Sequence, residues 1–170
     1  MDLRSIHPDL LEAKKLAYDP SGLTYKNLFK EEESKEYGAC VFEMNNKRIK
    51  FRIGKITPKK SGQFVTLWKR IGNSPIMPYD LADPIDLFVV SVRNANHFGQ
   101  FVFPKTVLVE KGIVSKEGKG GKRAMRIYPP WDMADSRQAK NTQAWQLVHF
   151  FEIDPNKKTD TTRVQKLFDY

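Results

Sequence analysis

The chain has 170 residues, of which 40% are hydrophobic and 12% aromatic, so it can form a packed core and is not disordered by default. Lys and Arg number 29 against 20 Asp and Glu, and the resulting net charge of +9 favours a polyanionic partner. No apolar run approaches the roughly 18 residues of a membrane span, the start lacks a signal-peptide pattern, and the single cysteine, Cys40, cannot form an internal disulfide. We therefore expect one domain over residues 1–170, cytoplasmic and without integral membrane association.

Two helices are predicted in the first quarter of the chain. Pro8 suits a first helical turn, apolar residues recur at helical spacing as far as Tyr18, and turn residues at 19–22 end the helix. The second predicted helix runs from about residue 27 through an acidic stretch to residue 36.

A β-hairpin is the clearest local prediction. Residues 37–44 are typical of a strand, and residues 47–53 alternate with period two. The two Asn residues at 45–46 suit a type I′ turn, because Asn tolerates positive φ. In this register Phe42 faces Ile49.

The same register places Lys55 on the inward face, opposite Glu36. An unpaired charge on an apolar face is costly, so the two side chains are predicted to pair. A basic loop at residues 57–62 follows, and residues 63–70 are predicted to form the third strand of the same meander.

Buried strands dominate the predicted second half. Residues 86–92 form an apolar run typical of a strand buried on both faces, and residues 100–103 form a second short strand. Pro104 opens a short helix that ends at Gly112. After a flexible basic loop, residues 124–128 form the last predicted strand.

Two helices complete the prediction. Asp135 or Ser136 caps a long helix. Its predicted buried stripe consists of Ala144, Leu147, Val148 and Phe151. A C-terminal helix is predicted to bury Val164, Leu167 and Phe168. The predicted fold class is α/β (α+β), with one central mixed, largely antiparallel sheet of five or six strands and helices at its margins.

The excess positive charge is confined to two segments. Residues 47–79 contain nine basic residues and no acidic one, and residues 111–126 contain six basic residues and one acidic. A solvated surface is one explanation, but interleaved aromatic residues favour nucleic-acid binding through the phosphate backbone, with Phe64, Trp68 or Trp131 stacking on bases. The predicted contact residues are Lys50, Arg52, Lys59, Lys60, Trp68, Lys69, Arg70, Lys119, Lys122, Arg123 and Arg126.

Other chemistry has weaker support in the sequence. His7, His97 and His149 show no metal-ligand spacing, and the Gly-rich loop at residues 118–123 departs from a phosphate-loop pattern. Cys40 lies mid-strand on the inward face and is expected to be an inert core thiol. No metal and no cofactor is therefore expected under the leading interpretation.

Four segments carry a family resemblance. The sequence resembles the MepB family at residues 51–70 (FRIGKITPKKSGQFVTLWKR), 99–105 (GQFVFPK), 123–131 (RAMRIYPPW) and 142–146 (TQAWQ). The resemblance implies a small cytoplasmic bacterial protein encoded beside a multidrug efflux pump and its MarR-type regulator. It also implies a core similar to that of restriction endonucleases, and it implies no established activity.

That implied core raises a nuclease alternative. A PD-(D/E)xK site needs clustered carboxylates for Mg²⁺ and a Lys. Pro84 and Asp86 resemble the first half, but Gln100 and Val102 occupy the acid and Lys positions. A rearranged Mg²⁺ site would use Glu36, Lys55 and Asp86. The leading hypothesis remains nucleic-acid binding without confirmed catalysis, and a basic module for an acidic protein or membrane surface is the third.

Overall fold

The computed structural model describes residues 5–170. Within them the chain forms eleven strands: β1 (Lys26–Lys30), β2 (Cys40–Met44), β3 (Lys47–Ile53), β4 (Lys55–Ile56), β5 (Gln63–Thr66), β6 (Trp68–Lys69), β7 (Met77–Pro78), β8 (Leu87–Arg93), β9 (Phe98–Pro104), β10 (Ala124–Ile127) and β11 (Phe150–Glu152). The α-helices of the same residues are α1 (Pro8–Ala13), α2 (Lys105–Glu110), α3 (Arg137–Leu147) and α4 (Thr161–Phe168). A π-helical turn, Lys14–Tyr18, extends α1, and short 3₁₀ turns cover Asp19–Ser21 and Lys35–Tyr37.

A six-stranded sheet, counted over the described residues, organises the fold in the order β1-β2-β3-β8-β9-β11. Only the β3–β8 pair within this sheet is parallel, and the other neighbours are antiparallel. The predicted α+β class, with a central mixed and largely antiparallel sheet, is confirmed. A second sheet has the order β10-β5-β4, and β6 pairs with β7.

The predicted hairpin is confirmed in position and register. Asn45 and Asn46 adopt φ values of 53° and 59°, as a type I′ turn requires. Phe42 pairs with Ile49, and the two side chains are fully buried. The turn residues and the alternation of side chains along the strands are both local signals, and both predict the same hairpin.

The predicted helix over residues 27–36 is wrong. The chain forms β1 there, which pairs with β2, and the only helical turn of this stretch is the 3₁₀ turn Lys35–Tyr37. Leu28 is the one buried residue of β1. Pairing with an existing sheet edge therefore outweighs the local helix preference of the acidic stretch.

The predicted three-stranded meander is also wrong. β3 pairs in parallel with β8, the strand that is buried on both faces. β8 therefore occupies the position beside β3 that the prediction gave to residues 63–70. The chain leaves the main sheet at Gly54, where a Cβ would lie 2.8 Å from the Gln63 side-chain oxygen. Residues 63–70 form β5 and β6 outside the main sheet.

Two hydrophobic cores lie on opposite faces of the main sheet. The first core contains α1, its π-helical extension and α4, and Tyr18, Phe42 and Phe168 are fully buried in it. The second contains residues of the β10-β5-β4 sheet and α2, including Val65 and Leu108. We call these the helical face and the small-sheet face.

The late helix begins at Arg137 with Ser136 as its N-cap, as predicted. The predicted buried stripe is wrong for Ala144 and Val148, which are exposed. The buried residues of the helix are Ala139 and Gln146 instead, and Phe151 lies in β11, beyond the end of the helix at Leu147. The helix from Pro8, the short helix after Pro104, the strand β10 and the apolar face of α4 are confirmed.

No helix among the described residues is long and apolar enough to cross a membrane.

Candidate nucleic-acid interface

A groove with several cations lies on the small-sheet face, between the β10-β5-β4 sheet and α3. It consists of two adjoining hollows that share Lys111, Gln138, Thr142 and Trp145. Five cations of the described part of the chain line it: Lys60, Lys111, Lys122, Arg126 and Arg137. Among residues 5–170, no Asp or Glu side chain lines either hollow. We call it the basic groove.

Two glutamines of α3 fix the helical wall of the basic groove. The fully buried Gln146 side chain donates to the Arg126 carbonyl at 2.9 Å and accepts from the Tyr128 N–H at 2.8 Å. Gln143 donates to the carbonyls of Pro129 and Asp132, each at 2.9 Å. The spacing of three residues places both amides on one side of the helix, against β10 and the segment that follows it.

The cations of the basic groove differ in burial and in hydrogen bonding. Arg126 is half-buried, and its guanidinium donates to the Ser61 carbonyl at 3.0 Å and to the Thr57 hydroxyl at 2.6 Å. Lys60, Lys111 and Lys122 are exposed. The Lys111 ammonium lies 5.6 Å from the centroid of the Trp145 ring. The groove thus combines one positioned guanidinium with exposed ammonium groups and an aromatic ring.

The N-terminal end of α3 also borders this groove. Ser136 caps the helix by accepting from the Ala139 N–H at 3.0 Å. The positive end of the helix dipole adds to the field of the cations.

A second cluster of predicted contact residues lies in a cleft with acidic neighbours. Lys50, Arg52, Trp68, Lys69 and Arg70 line it together with Tyr79 and the acidic residues Glu31, Glu32 and Glu33. We call it the charged cleft. Burial raises the pKa of Tyr79 to about 12, against the opposing effect of the Arg52 charge.

Ion pairs neutralise the cations of the charged cleft. Glu31 pairs with both Lys50 and Arg52, Asp83 pairs with Lys69 at 2.6 Å, and Glu33 pairs with Arg70 at 2.8 Å. The Arg52 side chain is only 2% exposed. The prediction that Arg52 contacts a phosphate is therefore wrong for this structure, because its guanidinium is enclosed by Glu31 and Tyr79.

The Gly-rich basic loop is anchored at its base by Asp80. Its carboxylate accepts from the Ser115 hydroxyl at 2.6 Å and from the Gly118 N–H at 3.0 Å. These two hydrogen bonds, together with a third from the Ala82 N–H, lower the pKa of Asp80 to about 2. Within the loop, the backbones of Lys116 and Lys119 form two mutual hydrogen bonds.

The remaining predicted contact residues line neither the basic groove nor the charged cleft. Lys59 is exposed beside Lys60 in the loop before β5, and Lys119 is exposed in the Gly-rich loop. Arg123 is exposed, and its Nε donates to the Ile76 carbonyl at 3.3 Å. Trp131 is stacked on His97 with ring centroids 5.0 Å apart, so one face of that ring is already covered.

The three residues of the nuclease alternative do not converge. Asp86 accepts from the Arg48 N–H at 2.8 Å beside the start of β3, whereas Lys55 follows the end of that strand. At about 3.3 Å per residue, the intervening strand separates them by roughly 20 Å. The rearranged site is therefore wrong.

The predicted Glu36–Lys55 pair is wrong as well. Over residues 5–170 no ion pair joins them, and the Lys55 ammonium lies 4.5 Å from the centroid of the Tyr37 ring. In the part of the chain that the structure describes, no group of three or more His, Cys, Asp and Glu side chains is arranged to hold a metal ion. Burial raises the pKa of Cys40 to about 12, in agreement with an inert core thiol.

Comparison with known proteins places these features in a family. The MepB-like family model matches residues 31–152. The chain belongs to the MepB-like family. The crystal structure of MepB is 32% identical, with a TM-score of 0.75, over 90% of this chain and 100% of that chain.

A second solved structure is a bacterial homing endonuclease, I-Ssp6803I. It is 16% identical, with a TM-score of 0.41, over 84% of this chain and 93% of the endonuclease chain. No curated protein matches the sequence. The restriction-endonuclease-like core remains a prediction at this level of similarity.

Sequence reasoning missed Lys111, Arg137, Trp145 and Gln146 as components of the groove. Lys111 belongs to a basic segment that the charge count had identified, and Trp145 and Gln146 belong to a family-like segment. Their convergence depends on how α3 packs against β10, which neither signal specifies.

Proposed function

We propose that this MepB-like protein binds nucleic acid through the basic groove, contacting the phosphate backbone with its five cations. The observation that carries the proposal is charge imbalance: five cations line the groove, and no carboxylate does over residues 5–170. Cations without local counter-charges are balanced by mobile ions in solution. Release of such counterions drives the binding of a phosphate polymer.

The geometry supports phosphate contact by two kinds of side chain. Arg126 is held by Ser61 and Thr57, so little side-chain entropy is lost when its guanidinium meets a phosphate. The exposed lysines supply adaptable point charges. Trp145 offers an aromatic surface in the same groove, on which an unpaired base would stack.

Catalysis is not part of the proposal, because Glu36, Lys55 and Asp86 are separated in the fold. We place the binding activity in the cytoplasm, since a free, buried Cys40 suits a reducing compartment. DNA and RNA share the phosphodiester chemistry on which the groove would act.

A matched pair of double variants tests the proposal. Lys60→Gln/Lys122→Gln removes two charges from the basic groove. Lys15→Gln/Lys166→Gln removes two exposed charges from the helical face, and so makes the same change in net charge. Fluorescence anisotropy with labelled DNA and RNA oligonucleotides at fixed salt measures both.

The groove variant is expected to bind about tenfold more weakly than wild type, and the control less than twofold more weakly, because only the first loses phosphate contacts. Equal losses would show that net charge alone drives association, and would overturn the assignment to the groove. Binding to anionic vesicles without any binding to nucleic acid would favour the membrane-surface alternative.

A further inference from the structure

The acidic wall of the charged cleft comes from one short segment before the Lys35–Tyr37 turn. Glu31 holds Lys50 and Arg52, and Glu33 holds Arg70. Glu32, between them, pairs with Lys35 instead and is 93% exposed. Alternate residues of the segment thus supply the carboxylates that pair with Lys50, Arg52 and Arg70, whereas Asp83 pairs with Lys69.

The inner part of the charged cleft contains an incompletely satisfied guanidinium. Arg52 donates to the Phe51 carbonyl at 2.9 Å and to the Tyr79 hydroxyl at 3.2 Å, in addition to Glu31. Its buried Nε finds no hydrogen-bond partner within the described chain. A buried donor without a partner is unfavourable, but Glu31 and Tyr79 enclose the guanidinium, so Arg52 is a structural cation and not a contact for an incoming anion.

The outer part of the cleft is more accessible. The side chains of Arg70 and Glu33 are 36% and 47% exposed, and exposed ion pairs contribute little net stability. The Arg70 guanidinium lies 5.6 Å from the Trp68 ring centroid and also donates to the Ser74 carbonyl at 3.0 Å. An incoming anion therefore meets a positioned guanidinium beside an aromatic ring, and displaces only a weakly held carboxylate.

We infer that the charged cleft is a second phosphate-binding surface for nucleic acid, and that Glu33 occupies it in the free protein. A phosphate group of the ligand replaces the Glu33 carboxylate on Arg70, and an adjacent base contacts Trp68. Glu31 stays in place, because it compensates the buried charge of Arg52. The inference rests on the proposed function, since the ligand is the nucleic acid bound by the basic groove.

The test compares two substitutions that change the net charge equally. Glu33→Gln frees Arg70, whereas Glu152→Gln removes an exposed carboxylate of β11 that lines neither the charged cleft nor the basic groove. Anisotropy titrations with one labelled oligonucleotide at several salt concentrations measure both variants and wild type. Thermal unfolding checks that each variant is folded, which the exposure of both side chains favours.

Glu33→Gln is expected to bind at least fivefold more tightly than wild type, with a salt dependence steeper by about one unit, because no displaced carboxylate takes up a cation when the phosphate binds Arg70. Glu152→Gln is expected to change the affinity less than twofold. Adding Arg70→Gln to Glu33→Gln should abolish the gain, and Arg70→Gln should weaken binding more in the Glu33→Gln background than in the Glu152→Gln background.

Each outcome decides the inference. Equal gains for the two variants, or no gain for Glu33→Gln, would overturn it while leaving the basic groove assignment intact if wild type binds. Absence of binding by wild type and by all variants would overturn the inference and the proposed function together. Binding that appears only in Glu33→Gln would support the inference.

Discussion

The Gln146 side chain joins the two walls of the basic groove, so its replacement by Leu is informative. Leu has a similar size but has no polar group. The Tyr128 N–H and the Arg126 carbonyl would each lose the bond that Gln146 makes at 2.8 and 2.9 Å. Since Gln146 is fully buried, water has poor access to replace those bonds.

The magnitude follows from the two unmade hydrogen bonds. An unsatisfied buried donor or acceptor costs about 1–3 kcal/mol, so Gln146→Leu is expected to lower the free energy of unfolding by about 3 kcal/mol. For a chain of this length, each kcal/mol lowers the melting temperature by about 2–4 °C, which predicts a decrease of roughly 6–12 °C. Gln138→Leu, at an exposed position of the same helix, is expected to change the free energy of unfolding by less than about 0.5 kcal/mol.

Thermal and urea unfolding, followed by circular dichroism, measure the stability of both variants. Nucleic-acid affinity is then measured well below the melting temperature. Gln146→Leu is expected to weaken binding as well, because α3 carries Arg137 and Trp145 and loses its attachment to β10. A Gln146→Leu protein that melts within 2 °C of wild type would refute the claim that this amide holds the two walls together.

Three further results are expected. The pKa of Asp80 is lowered to about 2 from an ordinary value of 3.8, so its carboxylate stabilises the fold above pH 4 and loses that effect as the pH falls towards 2. Urea unfolding should therefore show the full stability difference between wild type and Asp80→Asn at pH 7, and a smaller difference as the pH falls from 4 to 2. Burial raises the pKa of the Cys40 thiol to about 12, so iodoacetamide at pH 8 should alkylate the native protein at least about a hundredfold more slowly than the urea-unfolded chain, and equal rates would contradict the buried position. Phe42→Ala should lower the free energy of unfolding by about 3–5 kcal/mol, because Phe42 is fully buried, whereas Phe29→Ala, at a side chain that is 67% exposed, should have little effect in the same assay.

Local signals account for the elements that the sequence predicted correctly. The β2–β3 hairpin depends on two turn residues and on the alternation of side chains along the strands, and all of these signals lie within residues 37–53. The apolar run of β8, which is buried on both faces, and the Ser136 cap of α3 are likewise local signals. These elements need no knowledge of distant partners.

Distant partners account for the errors. β1 exists because an edge of β2 is free to pair with it, and the strand after Gly54 leaves the main sheet because β8, more than thirty residues later, takes the place beside β3. Sequence periodicity carries no information on either choice.

The candidate site shows the same division. The charge count identified the basic segments, and Lys60, Lys122 and Arg126 do converge in one groove. It did not show that Glu31 and Glu33 return to neutralise Lys50, Arg52 and Arg70. Ion pairing across nineteen or more residues depends on the sheet, so the free and the paired cations were indistinguishable in the sequence.

The salt dependence of nucleic-acid binding tests the central claim most directly. Titrations of a labelled duplex between about 50 and 200 mM salt give the slope of log K against log salt, which is about −0.9 for each phosphate neutralised. The five cations of the basic groove predict a wild-type slope of about −4.5, and Lys60→Gln/Lys122→Gln/Arg126→Gln should reduce it to about −2. A wild-type slope near zero, or a slope that the triple variant leaves unchanged, would contradict binding through this groove.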